Sequence, residues 1–104
     1  METQCCLAVP SKEFGEMEIF SSTQDATIVQ LKVAEMLNVG MHKITSRVKR
    51  IGGGFGGKET RAVPYALATA FAASKLGRPV RFMLDRDQDM VSSGTRHPVL
   101  GKYK

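Results

Sequence analysis

The sequence predicts an α+β fold, and three observations carry that expectation. Residues 3–9 and 43–51 read as strands whose side chains divide between two faces with a period of two. Residues 26–37 and 62–76 repeat apolar side chains at helical spacing. Gly, Pro and Asn stand at the joins between them. The expected architecture is a set of short strands in a hairpin and a β-α-β passage, with two helices and mixed strand pairing.

Taken in order, the first strand places Cys5, Leu7 and Val9 on one face and Gln4, Cys6 and Ala8 on the other, and Pro10 ends it. The polar residues 11–16 include Gly15 and signal a turn, so residues 17–21 return as the second arm of a hairpin. Glu2 stands outside these elements and receives no role. Asp25 is placed to cap a helix whose apolar stripe is Val29, Val33, Met36 and Leu37, with Asn38 and Gly40 as stop signals. In residues 43–51, Ile44 and Val48 point one way, and Thr45, Arg47 and Lys49 the other. The second helix presents Val63, Leu67, Ala70 and Phe71 at helical spacing, and its many alanines permit close packing. Pro64 is tolerated only in a first turn, which starts that helix near Val63, and Gly77 stops it. Residues 80–84 read as the strand that completes a β-α-β passage with residues 43–51. Asp85, Asp87 and Asp89 resemble a calcium loop, but Met90 and Arg96 stand where that loop needs glycine and glutamate. They read instead as caps and salt-bridge partners. Residues 99–104 open a further strand.

Between the third strand and the second helix lies Gly52-Gly53-Gly54-Phe55-Gly56-Gly57-Lys58-Glu59-Thr60-Arg61. Strand, glycine loop and helix in this order bring backbone N–H groups towards an anion. A phosphate loop fits Gly52, Gly57 and Lys58, but Glu59 occupies the position of the magnesium-binding Ser or Thr. A dinucleotide fingerprint fits Gly52, Gly54 and Gly57, but lacks an acidic residue at the required distance. A plain surface turn would rarely keep Phe55 at the centre of the run. Locally, Glu59 stands where a helix dipole would favour its carboxylate, and Gln24 stands where it could satisfy its own turn.

Composition excludes several classes. The 104 residues suffice for one small domain, and a hydrophobic fraction of 42% with 24% charged is ordinary for a globular chain. A net charge of +5 would suit nucleic acid, but the basic residues are dispersed and lack interleaved aromatics, so nucleic-acid binding is not expected. No apolar run approaches a membrane span. Cys5 and Cys6 are adjacent, which rules out a disulfide framework and suits reduced thiols in a cytosolic protein. His42 and His97 have no metal-ligand spacing.

Several motifs occur together in one order. Arg47-Val48-Lys49-Arg50-Ile51 leads into the glycine run and its Lys58-Glu59-Thr60-Arg61; Glu2-Thr3-Gln4 and Ser21-Ser22-Thr23-Gln24 precede it. Gly77-Arg78-Pro79-Val80-Arg81, Leu84-Asp85-Arg86-Asp87-Gln88-Asp89-Met90 and Arg96-His97-Pro98 follow it. This set resembles the xanthine dehydrogenase and aldehyde oxidase family, the molybdenum hydroxylases, with xanthine dehydrogenase the nearer of the two. Gly94-Thr95-Arg96 departs from the family's usual G-G-R, and Asn38-Val39-Gly40-Met41 from a stretch that often carries Gly and Pro.

The resemblance implies that residues 1–104 are part of a molybdenum-cofactor-binding domain within a larger chain. It implies that Gln24 donates its side-chain amide to an oxo ligand of molybdenum, and that Gly54, Phe55 and Gly56 present backbone to the molybdopterin, with Gln24 and Phe55 in the environment of the metal's ligands. It implies that Glu59 binds the substrate by hydrogen-bonding a purine ring. The general base and a substrate-binding arginine lie downstream in the family, so no catalytic residue is expected here. The parent enzyme would hydroxylate hypoxanthine or xanthine and pass electrons through iron–sulfur centres and FAD to NAD⁺. It would be a homodimer in the cytoplasm, or alternatively the peroxisome. The alternatives are an aldehyde oxidase-type enzyme and a small non-catalytic module that keeps the loop.

Overall fold

The computed structural model describes residues 2–13 and 15–104. The hairpin expected at the start is present: β1 (Cys5–Pro10) pairs antiparallel with β2 (Met17–Ser21), Leu7 opposite Phe20 and Val9 opposite Glu18. Of the turn over residues 11–16, Phe14 lies outside the described residues; Gly15 has a φ of 67°, which glycine adopts without strain. Helix α1 (Ala26–Leu37) leads to β3 (Ile44–Arg47), and α2 (Val63–Leu76) leads to β4 (Val80–Met83). A third helix, α3 (Arg86–Ser92), follows.

The four strands form one sheet in the order β3-β2-β1-β4. β2 and β3 are parallel, while β1 is antiparallel to both β2 and β4. The β-α-β unit of neighbouring strands is therefore β2-α1-β3. The expected passage from residues 43–51 to 80–84 does exist, and its strands run the same way. They lie on opposite edges, however, with β2 and β1 between them. The hairpin strands pair with each other and fill the centre of the sheet, so β3 and β4 each lie on an edge.

Alternation decides which face of the sheet is covered. Cys6, Ala8, Met17, Ile19 and Ile44 are buried, and Val29 and Val33 of α1 and Ala66, Ala70 and Ala73 of α2 pack with them in one core. The apolar stripe expected on α1 is correct: Met36 and Leu37 pack partly buried against that core. On α2 the expected stripe holds in part: Ala70 lies in the core and Val63 and Leu67 pack partly buried against it, but Phe71 does not. Ala66, Thr69, Ala70 and Ala73 face inward, while Phe71 is half exposed. Alanines against the sheet let the helix backbone approach closely, whereas a ring at that face would hold it off.

Caps close the helices. The Asp25 carboxylate accepts from the N–H groups of Thr27 and Ile28 at 2.9 and 3.0 Å, as expected, and Asn38 ends α1 in the left-handed region. Gly77 ends α2 in the same way, and the expected start near Val63 is observed. The strand expected over residues 43–51 is shorter, because residues 41–43 form a 3₁₀ turn and pairing stops at Arg47. Residues 99–104 belong to no strand and are exposed.

The topology gathers functional segments at one end. Since β2, β3 and β4 run in one direction and β1 in the other, residues 22–25, 48–62 and 84–96 leave the sheet where residues 2–4 enter it.

Candidate functional site

The glycine-rich loop is built at this end. Val48 and Ile51 are partly exposed, and the chain turns sharply at Gly54: the Gly57 N–H donates to the Gly54 carbonyl at 2.7 Å. The two residues inside that turn, Phe55 and Gly56, have φ of 50° and 84°. Positive φ at both central positions marks a type I′ turn, which a phenylalanine enters only at a steric cost. The loop thereby holds its phenylalanine 74% exposed at the tip.

Side chains from elsewhere fix this shape. Gln24, at the junction of β2 and α1, accepts on Oε1 from the Gly56 N–H at 2.9 Å and the Lys58 N–H at 3.3 Å. Two donors on one oxygen set which end of the amide faces the loop, and the Nε2 group has no partner among the described residues. Gly54 leaves room for this arrangement. A Cβ there would lie 2.7 Å from Gln24 Cγ and closer still to its Oε1. The Gln4 Nε2 donates to the Gly57 carbonyl at 2.9 Å, and Arg96 donates to the Phe55 carbonyl at 3.1 Å.

Lys58 is buried, and its ammonium turns inward. It donates to Glu2 at 2.8 Å and to Ser22 at 2.7 Å. A lysine so engaged cannot serve a phosphate, which disposes of the phosphate-loop alternative. The Glu2 carboxyl, beside the Lys58 ammonium and the Ser22 hydroxyl, is held down at a pKa of about 2. Glu2 also accepts from the Gly52 N–H at 2.8 and 3.1 Å. Sequence reasoning gave Glu2 no role; the signal that was missed is a lysine directly after glycines, which needs an anion if the loop packs down.

A cavity of about 390 Å³ opens beside the loop, with Gln4, Gly54, Phe55, Gly56, Asp89 and Arg96 in its walls. Gln4 Oε1 and Asp89 Oδ1 are buried acceptors without a partner among the described residues. Asp89 belongs to α3 and pairs with Arg86 at 3.4 Å, the salt-bridge role expected of the aspartates. Asp85 precedes α3 at the cap position without a side-chain cap bond.

The residues expected at the site are therefore placed as follows. Gln24, Gly54, Phe55 and Gly56 come together in one hydrogen-bonded unit. Glu59 follows Lys58, is exposed, and stands outside the cavity wall. It does not cap α2, whose cap position is Ala62 and has no side-chain cap bond. The thiols differ: Cys5 is half-buried and Cys6 buried, both free, and burial pushes the Cys6 thiol up to about 11. No helix among the described residues is long and apolar enough to cross a membrane.

A two-layer α+β unit with a side-chain amide and a glycine turn at the strand ends defines a cofactor-holding domain, and comparison with known proteins identifies which. The molybdopterin cofactor-binding domain model matches residues 1–104, and the chain belongs to that family. It is 59% identical over 104 residues to the xanthine dehydrogenase/oxidase of Rattus norvegicus, covering all of this chain and 8% of that protein. It is 50% identical over the same length to aldehyde oxidase 2 of Cavia porcellus, again 8% of that protein. The fold matches quinoline 2-oxidoreductase from Pseudomonas putida 86 with a TM-score of 0.79 and 32% identity, over 86% of this chain and 11% of that one. The chain thus spans only about a tenth of the length of these relatives.

The residues present fit the family's cofactor. The loop offers a turn with an exposed tip, and Gln24 offers two N–H donors that nothing else among the described residues uses.

Proposed function

We propose that this chain is part of the molybdenum-cofactor-binding domain of a hydroxylase that oxidises purines, hypoxanthine and xanthine to urate. One observation carries the reading. The Gln24 amide is locked by two loop N–H groups on its oxygen side, so its nitrogen side is left to donate. A donor fixed before the ligand arrives needs no reorganisation when charge develops opposite it. Gln24 would donate to an oxo ligand, while Gly54, Phe55 and Gly56 present the turn to the pterin. When bound, molybdopterin supplies a molybdenum centre that takes an electron pair as a carbon of the substrate gains oxygen, and iron–sulfur centres and FAD of the complete enzyme carry the electrons on to NAD⁺.

Glu59 supports the purine. Its carboxyl is exposed and makes no hydrogen bond or ion pair among the described residues, so it is open to a ring N–H. A hydrogen bond there would orient the ring and stabilise charge that shifts onto it in the transition state. An aldehyde substrate is favoured by the aldehyde oxidase relative and needs no such partner. In the full-length enzyme, Glu59→Ala is expected to lower kcat/KM for xanthine by about 100-fold or more, the usual scale for losing one transition-state hydrogen bond. Turnover of an aromatic aldehyde, measured beside it, should hold. Equal turnover of xanthine by variant and wild type would sink the purine assignment.

A further inference from the structure

Besides the Gly56 N–H, one residue, Lys58, joins the loop to Gln24 and its neighbour at three points. Its N–H donates to Gln24 Oε1 at 3.3 Å, and its carbonyl accepts from the Gln24 N–H at 2.8 Å and from Thr23 Oγ1 at 2.9 Å. The Lys58 main chain thus sets where the Gln24 backbone and amide oxygen sit. Its side chain is anchored in turn. The ammonium, with a side chain only 6% exposed, meets Glu2 Oε1 at 2.8 Å and Ser22 Oγ at 2.7 Å. Ser22 closes the ring by donating to the same Glu2 oxygen at 2.6 Å. The Glu2 carboxylate also takes the Gly52 N–H, so one carboxylate holds the loop where it begins and where it ends. A buried ammonium has few alternatives in such a place, since breaking its pair would leave a charge out of water.

We infer that Glu2 and Lys58 are positioning residues, which clamp the two ends of the glycine loop and through Lys58 hold the Gln24 amide in its donating orientation. This rests on the role of Gln24 proposed above. Their side chains are turned to one another and to Ser22, and the clamp forms without cofactor or substrate. A displacement of the amide by about 1 Å would be enough to matter, because misplacement on that scale can cost on the order of 100-fold in rate.

The test is a double-mutant cycle in the molybdenum-loaded full-length enzyme, with Lys58→Met, Gln24→Ala and the pair. Three quantities are read: kcat and KM for xanthine, the Mo(V) electron paramagnetic resonance spectrum, and the unfolding midpoint. Lys58→Met should lower kcat about tenfold or more with KM nearly unchanged, the pattern of an interaction made in the transition state. It should shift the Mo(V) spectrum in the direction that Gln24→Ala does. Losses should not multiply in the double variant, since both changes remove one interaction. Multiplying losses, or an unaltered Mo(V) spectrum in Lys58→Met, would show that Lys58 only stabilises the fold and would overturn the inference. If Lys58→Met fails to fold, Glu2→Gln is run through the same cycle, because it removes one charge and keeps an acceptor; a wild-type spectrum and kcat there also overturn it. Failure of the reading beneath it looks different: Gln24→Ala alone would then change neither spectrum nor kcat.

Discussion

Residues 22–25 and residues 48–62 leave the same end of the sheet, from parallel strands, and are made in opposite ways. The first connection is short, and Ser22 and Thr23 are almost fully buried with hydrogen bonds to Lys58 and to the backbone. The second is long and mostly exposed, with Lys58 and Ala62 its buried points. The long loop carries the glycines and the phenylalanine, yet its shape comes from the short one. Glycine permits many conformations and selects none. Selection is made by Gln24, Gln4 and Glu2, residues outside the loop that satisfy particular N–H and carbonyl groups in it. A flexible segment can thus be held in one conformation by a rigid neighbour.

The contrast can be pressed from each side. The largest effect should come from the rigid part. Ile19 is fully buried in the centre of the core, and Ile19→Ala should cost about 2–5 kcal/mol, read as a lower urea midpoint. Gly54→Ala attacks the loop instead. A Cβ there overlaps Gln24, so the full-length enzyme should lose on the order of 100-fold in kcat while its unfolding midpoint moves little. If Gly54→Ala unfolds the protein, the loop supports the core as much as the core supports it, and the contrast fails.

The smallest effect concerns the clamp between them. The folded Glu2 carboxyl titrates at about 2, below its ordinary 4.5. A depressed pKa contributes stability that is complete above the unfolded value and disappears as pH falls from about 4.5 through about 2. Lys58 faces Glu2 from the loop and, with the Ser22 hydroxyl, lowers its pKa, while Arg47, Lys49 and Arg50 line a groove with it. Glu2 is partly open to solvent, so about 1 kcal/mol or less should be lost. The stabilities of wild type and Glu2→Gln should differ most above about 4.5, draw together as pH falls through that window and converge below it.

Much of this was legible in the sequence where local chemistry decides. The hairpin, the Asp25 cap, the Asn38 and Gly77 stops and the Val29–Val33 stripe all depend on residues close together in the chain. The unit of Gln24 with Gly54, Phe55 and Gly56 was legible through family motifs rather than through periodicity. What escaped depends on distant partners. The order of strands cannot be read from a β-α-β pattern when a hairpin already fills the sheet's centre. Helix α3 is too short for its period to show, so its aspartates read as caps and salt-bridge partners without the helix that carries them. On α2, Val63, Leu67 and Ala70 were read correctly, but Phe71 was placed on the inward face for its apolar ring, whereas close approach to the sheet selects alanine at positions 66 and 73. Glu2 gave no local sign at all; its partners Ser22, Gly52 and Lys58 are distant in sequence.

Gly94 lies far along the chain from Arg61, but the two are neighbours in space. The Arg61 guanidinium donates to the Ser93 carbonyl, and a Cβ at position 94 would lie 3.1 Å from its Cζ and closer to Nη1. With a φ of 80°, position 94 resists any side chain on its own account as well. A side chain at position 94 would push the Arg61 guanidinium off the Ser93 carbonyl, so this glycine keeps the segment after α3 tied to the end of the glycine-rich loop.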